Sequence, residues 1–260
     1  MRMYLFVILP SILNFACSHN YTIAPNSGKQ VQDSDIKVHI FSDLLSQSFL
    51  IETPQGLYAV DPGALGCEKK IIAKMKALSR KDLRLIFITH AHFDHYGAAA
   101  ALKKKYPAPV AIHKNDAAAM AAGKTELPKV RRWGRVGRFF LPLGYFIWPP
   151  GKIEADIKFE DGFRFDEFGL DAEAIHFPGH TPGSSGLLVN GTILFAGDLV
   201  AAKHGAPTIQ KLYAFDWQEI AESTSKAKVL NPHSLFPGHG RMVTKEEVQN
   251  LQPVVLENKD

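Results

Sequence analysis

The sequence predicts an α/β protein in which two β-sheets are covered by helices. Three observations predict it. Strand-like and helix-like runs follow one another in two successive sets, separated by a basic and aromatic segment at residues 123–150. Leu83–Thr89 is a near-continuous apolar run bounded by charged residues, the pattern of a buried strand. Asn190-Gly191 separates two further strand-like runs and is a strong hairpin signal. The composition, 46% hydrophobic and 22% charged over 260 residues, excludes a disordered chain, a collagen and a coiled coil.

Residues 1–16 join Arg2 to an apolar run that contains Pro10. The run is too short to span a bilayer comfortably and matches a secretory signal. Ala16-Cys17 resembles the lipobox of bacterial lipoprotein signals, with Asn14 where that pattern prefers an aliphatic residue. The resemblance implies that Cys17 is the lipidated first residue of a protein anchored in the bacterial cell envelope. A plain cleaved signal, giving a periplasmic or secreted protein, and an uncleaved anchor are the alternatives. Residues 17–35 are polar and turn-rich and read as a tether, and residues 36–260 as the folded domain.

In that domain Ile36–Ile40, Phe49–Glu52 and Gly56–Val60 have strand patterns, and residues 68–79 have helical spacing. After the Leu83–Thr89 strand come a helix over Gly97–Tyr106, a strand over Pro109–His113 and an Ala-rich helix over Asn115–Ala122. The second set opens with strands at Ile157–Glu160, Phe163–Phe165 and Ala172–Phe177. The hairpin Gly186–Val189 and Thr192–Phe195 follows. Asp216-Trp217-Gln218-Glu219 is a capping-box pattern that opens a helix to about Lys228. Leu235–Phe236 is a short strand and Lys245–Leu251 a last helix.

Two cysteines exclude a disulfide framework and a Cys-rich zinc module, so with eleven histidines any metal site is His/carboxylate. Cys67 reads as a packed small residue, with a Cys17–Cys67 disulfide as the alternative. His90-Ala91-His92-Phe93-Asp94-His95 sets four potential ligands in six residues where a buried strand runs out into a loop. Imidazole and carboxylate suit a borderline divalent metal such as zinc. Three further strand ends share one design: Gly179-His180, Gly197-Asp198 and Gly238-His239-Gly240. Glycine there permits a sharp turn and close backbone approach. His39, His113, His176 and His233 lie in or beside strands and read as hydrogen-bonded core or surface groups.

Together, His-x-His-x-Asp-His, Gly-His-Thr-Pro-Gly, Gly-Asp and Gly-His-Gly resemble the metallo-β-lactamase-fold hydrolase superfamily over about residues 36–250. The resemblance implies a four-layer αββα sandwich and two divalent metal ions, zinc first, with iron or manganese as alternatives. It implies that His90, His92 and His180 bind one ion, that Asp94, His95 and His239 bind the other, and that Asp198 bridges them. A hydroxide shared by the ions would attack the substrate, with Asp94 as the catalytic residue that orients it or carries a proton. Asp61-Pro62-Gly63 resembles an early turn of the family that supports the site without ligating metal. Several true β-lactamases of the fold have Cys near the bridging role, so Asp198 argues against antibiotic hydrolysis.

Lys203, His204 and Tyr213 follow Asp198 in a segment that this fold sets near the pocket, and they are candidate substrate contacts. In residues 124–138 six basic residues face one acidic residue, Glu126, although the whole chain is only +4. The segment 123–150 reads as a substrate lid, as a membrane foot formed by residues 128–148, or as a helix packed on the domain with a solvated basic face. Lid and foot together favour a lipophilic small-molecule substrate; no nucleic acid is expected as a partner. Only 21 residues follow His239, which leaves no room for the glutathione-binding region of glyoxalase II-like thioesterases. The expected function is therefore an exported dinuclear hydrolase of an ester, lactone or thioester. A phosphodiesterase, a mononuclear iron oxygenase like the persulfide dioxygenases, and a non-catalytic metal-binding protein are the alternatives.

Overall fold

The computed structural model describes residues 18–22, 36–127, 129–130, 134–147, 149–203, 205–209 and 212–252. The signal-like segment, Cys17, Trp133, Trp148 and His204 lie outside the described residues. The first half holds β1 (Ser18–Thr22), β2 (Lys37–Ser42), β3 (Gln47–Glu52), β4 (Leu57–Val60), α1 (Glu68–Ala77), β5 (Leu83–Phe87), α2 (Phe93–Tyr96), α3 (Ala99–Lys105), β6 (Val110–His113) and α4 (Lys114–Ala122). Next come β7 (Lys129–Val130), α5 (Gly134–Ile147) and β8 (Ile157–Phe159). The second half holds β9 (Ala172–His176), β10 (Ser185–Val189), β11 (Ile193–Ala202), β12 (Thr208–Ile209), β13 (Tyr213–Ala214), α6 (Trp217–Leu230), β14 (Ser234–Gly240), β15 (Val243–Thr244) and α7 (Lys245–Gln249).

One sheet runs β1-β2-β3-β4-β5-β6-β8 and the other β15-β14-β11-β10-β9, with β12 on β11. Alternation along the strands sorts their side chains into layers. Phe49, Ile51, Phe87, Phe195 and Phe236 point between the sheets. Leu50, Leu57 and Ile86 point outward to Ile71 of α1, Leu102 of α3 and Met120 of α4. On the far side Ile175, Leu194 and Leu235 meet Trp217 and Ile220 of α6 and Val248 of α7. The chain is thus the expected sandwich of helices, two sheets and helices. Between the sheets Phe195 stacks on Phe236 at 5.1 Å and meets the edge of Phe49 at 5.2 Å.

Several elements depart from the sequence reading. The short strand at Leu235–Phe236 extends over Ser234–Gly240, and Phe93–Tyr96 is a helix and not a loop. Three further differences have a visible cause. Ser18–Thr22, read as part of the tether, pairs antiparallel with β2, whose outer edge offers unpaired backbone groups. Phe163–Phe165 contributes only an isolated bridge at Arg164, because buried Phe165 packs between the sheets instead of extending either one. The strand predicted at Thr192–Phe195 runs on to Ala202, since β11 pairs in parallel with β14 along its length. At the Asn190-Gly191 hairpin both residues take positive φ, 49° and 66°, as the turn requires. Asp216 caps α6 by accepting from the backbone N–H of Gln218 and Glu219.

Phe195→Ala should lower stability by about 3–5 kcal/mol, because it empties the junction of three rings. Leu44→Ala, at an exposed side chain, should change stability by less than about 0.5 kcal/mol. Urea denaturation of the two variants checks the contrast.

Candidate metal centre

Four strand ends deliver the cluster. Beyond β5 the chain passes Ile88 and Thr89 to His90 and His92, and α2 carries Asp94 and His95. The turn after β9 carries His180, β11 carries Asp198 and β14 carries His239. The β11–β14 register shifts on either side of Gly197, and this irregularity re-aims the strand beside Asp198. Two glycines allow the strands to close. A Cβ on Gly197, whose φ is +51°, would meet Thr89 Oγ1 at 2.6 Å. One on Gly238 would meet Asp198 Oδ1 at the same distance, 2.6 Å.

The ligand atoms of His90, His92, His180 and Asp198 lie within 4.8 Å of one another, as do those of Asp94, His95 and His239. Asp198 faces both groups. Its Oδ2 is 3.4 Å from His180 Nε2 and 3.2 Å from His239 Nε2, and its Oδ1 is 3.4 Å from His95 Nε2. Asp94 Oδ2 is 3.7 Å from both His95 Nε2 and His239 Nε2. The structure therefore brings together all seven residues that the motifs singled out, in the two groups that the resemblance implied.

The outward nitrogens settle the tautomers. His180 Nδ1 donates to the Tyr213 carbonyl at 3.1 Å, and His92 Nε2 to the Glu126 carbonyl at 3.2 Å. His95 Nδ1 donates to Asp61 Oδ2 at 2.9 Å. Thr89 gives its hydroxyl proton to Asp61 at 2.7 Å, so it accepts from His90 Nδ1 at 3.0 Å. In its neutral form each of these four rings thus turns a bare lone pair inward. His90 Nε2 and His95 Nε2 are buried with no hydrogen-bond partner among the described residues. His92 Nδ1 and His180 Nε2 point at each other across 3.0 Å, although both are acceptors. Converging lone pairs of this kind fit a cation between them.

The protonation states agree for His90, His92 and His180, which are held neutral, and differ for His95 and His239, which the nearby carboxylates favour in the charged form. Burial pushes His90 and His92 well below the ordinary imidazole range, with the neighbouring histidines adding to the effect. Burial also lowers His180, against the pull of Asp198. Around His95 burial acts downward, but Asp198, Asp94 and Asp61 outweigh it and hold the ring well above its usual value. His239 is raised in the same way, by Asp198 and then Asp94 against burial. Burial would raise Asp198, yet His239 and His95 keep it ionised, well below the usual carboxylate range.

Asp116, on α4, is a positioning residue that no sequence pattern marks. Its carboxylate accepts from the N–H of Ala91 at 2.8 Å, between His90 and His92. It also accepts from the Thr181 hydroxyl and the Gly183 N–H, both at 2.7 Å, beyond His180. It therefore clamps two ligand loops that lie far apart in the chain, and nothing in its local spacing reveals that. His39 and His176 behave as read: His39 pairs with Glu52 at 2.7 Å, and His176 Nε2 meets the Pro182 carbonyl at 2.9 Å.

A cleft of about 260 Å³ opens beside His239, lined by Ser42–Gln47, Lys203 and Gly240. Lys203 lies on this wall. The Tyr213 carbonyl holds His180, and its phenol pKa is raised by burial, then by Asp94 and Asp198. The opposite wall is built, not loose. Asp43 Oδ1 accepts from Leu45 N at 2.7 Å and Ser46 N at 2.8 Å, and the Ser46 hydroxyl donates to the Asp94 carbonyl. Cys67, read as a packed apolar residue, donates its thiol to Asp43 Oδ2 at 2.6 Å. Burial and then Asp43 push that thiol up to about 12.

A sandwich that gathers His and Asp side chains at one edge offers a possible metal-binding site. The chain belongs to the metallo-beta-lactamase superfamily, whose family model matches residues 42–239. It is 29% identical over 213 residues to "Probable metallo-hydrolase YflN" of Bacillus subtilis, covering 74% of this chain and 78% of that one. It is 30% identical over 143 residues to hydroxyacylglutathione hydrolase GloC of Haemophilus influenzae, covering 54% and 59%. Among solved structures it is similar to TTHA1623 in a di-iron-bound form, with TM-score 0.62 and 25% identity over 82% of this chain and 98% of that one.

Asp116→Ala should destabilise the fold by about 3 kcal/mol, because it strips acceptors from buried donors. Asp116→Asn, which keeps one acceptor oxygen, should lose less. Thermal unfolding of both variants, with metal content measured on each, tests the clamp. An Ala variant as stable as the parent would remove it.

Proposed function

We propose that the protein is an exported, lipid-anchored hydrolase that uses two divalent metal ions, zinc first, to cleave an ester, lactone or thioester bond in a small molecule. The observation that carries the reading is Asp198, whose two oxygens face the two ligand groups at once. A binding protein has no use for a carboxylate shared in this way. His90, His92 and His180 would hold one ion, Asp94, His95 and His239 the other, and Asp198 both. Bound there, the ions would lower the pKa of a water and polarise the scissile carbonyl.

The chain's own residues supply the rest. Asp94 keeps part of its carboxyl exposed beside His239 while its backbone carbonyl is held by Ser46, so it can carry a proton to the leaving atom. The raised pKa of Tyr213 keeps its phenol protonated, as a donor to a substrate oxygen. Lys203, on the cleft wall with His239, supplies a positive charge for an anionic part of the substrate. GloC, by its name a hydroxyacylglutathione hydrolase, lends support to the thioester among the three bonds. The di-iron form of TTHA1623 makes iron the alternative to zinc. Export and lipid anchoring rest on Arg2, the apolar run to Ala16 and Cys17.

Purified protein should contain about two divalent ions per chain. It should hydrolyse at least one member of a panel of esters, lactones and thioesters. Asp198→Ala should lose metal and reduce turnover at least about a thousandfold, or roughly 4 kcal/mol of barrier. Full metal occupancy in that variant would overturn the bridging role. One iron per chain with oxygen uptake would overturn the hydrolase, and turnover confined to phosphodiesters would overturn the bond class.

A further inference from the structure

We propose that α5 is a membrane-docking helix that lies in the surface of an anionic phospholipid bilayer. This goes beyond the hydrolase reading and does not depend on it. On α5, a 14-residue helix, Val136, Phe139, Phe140, Leu143, Phe146 and Ile147 share one arc of about 120°. All six are exposed, Phe139 by 77% and Phe146 by 84%. Six large apolar side chains on one helical face form a contiguous patch, not the scattered exposure of an ordinary surface.

The other face is already occupied. Gly137 lies against the Tyr213 hydroxyl, and the Tyr145 ring meets the edge of Phe93 at 5.6 Å. The helix is therefore fixed to the domain by one side and presents the apolar arc outward. Arg135 is exposed at the border of that arc, and Arg138, also exposed, lies about 80° beyond its edge. They continue a segment, residues 124–138, in which six basic residues face only Glu126. An apolar face flanked by arginines is complementary to acyl chains beneath anionic headgroups. A second copy of the chain would instead bring the arginines of both copies together. No helix among the described residues is long and apolar enough to cross a membrane, so α5 lies on the bilayer and does not span it.

Docking has a consequence for the site. Phe93 stands between His92 and Asp94, and the Tyr213 carbonyl holds His180. The covered face of α5 therefore rests on the cluster's own supports, and the docked helix sets the cluster beside the bilayer. A lipophilic substrate is the class that this placement serves; only that last step rests on the hydrolase reading.

The test uses the full chain carrying Phe146→Trp, with the parent's own tryptophan signal subtracted. The added indole should emit as an exposed group in buffer. It should shift to the blue and be quenched by brominated lipid on equimolar phosphatidylglycerol–phosphatidylcholine vesicles. Phosphatidylcholine vesicles alone should give a weaker response. Each arginine near an anionic surface contributes about a fivefold preference, so Arg135→Glu/Arg138→Glu should weaken the response by at least about 25-fold in lipid concentration. Blue emission before any lipid is added would show the face covered by residues 1–17 or by a second copy, and would overturn the proposal. So would exposed, unquenched emission from vesicle-bound protein. Turnover is not read, so a failure of the hydrolase reading leaves this result standing.

Discussion

The structure depends on holding several neutral imidazoles with their lone pairs aimed at one small volume. His92 Nδ1 and His180 Nε2 approach to 3.0 Å as two acceptors, an arrangement that repels itself without a cation. What holds them is the outer ring of acceptors: the Glu126 and Tyr213 carbonyls, Thr89 and Asp61. Each fixes a tautomer, and each comes from a different part of the chain. Asp61 is the most connected of these. It accepts hydrogen bonds from the Thr89 hydroxyl, the Thr89 N–H and the His95 ring at once, and it does so with a left-handed φ of +46°. A non-glycine residue in that region is held there by its surroundings.

The two sheets explain why such a cluster can exist. The interior between them is apolar and aromatic, and Phe49, Phe195 and Phe236 seal it below the site. Ligands on strand ends therefore sit on a rigid base while their loops stay free to specialise. The parallel pairing of β11 with β14 delivers Asp198 and His239 to one edge. The parallel pairing of β4 with β5 delivers Asp61 and the His90 loop. The edges meet because glycine backbones at 197 and 238 leave no side chain in the gap.

Much of this was legible in the sequence because the signals are local. The strand patterns, the Asn190-Gly191 turn, the Asp216 cap and the glycine before each of His180, Asp198 and His239 act within a few residues. The seven residues that the structure gathers were legible for the same reason. Asp116 was not, because its partners lie at positions 91, 181 and 183, and only the folded chain sets them beside α4. Cys67 was misread as a packed apolar residue because its acceptor, Asp43, is distant in sequence. The length of β11 depended on its partner β14, as strand limits commonly depend on pairing.

Helix α5 shows a different kind of illegibility. Its composition is plainly basic and aromatic, but composition does not say which face is spent on the domain. A solvated basic face and a packed apolar face would be the ordinary solution for a surface helix. Here the packed side is narrow, because Gly137 and Gly144 carry no side chain and let Tyr213 and Phe93 come close. The bulky residues at 139, 140, 143, 146 and 147 are thereby left on the outside. Leaving that arc in water costs free energy in proportion to its area, while Pro142 inside the helix lowers its intrinsic stability further. A helix built against both terms owes its position to the contacts of its inner face, and those contacts are with the residues that support the metal cluster. The inner face of α5 thus meets Phe93, next to His92 and Asp94, and Tyr213, whose carbonyl holds His180, while its apolar arc is left outward.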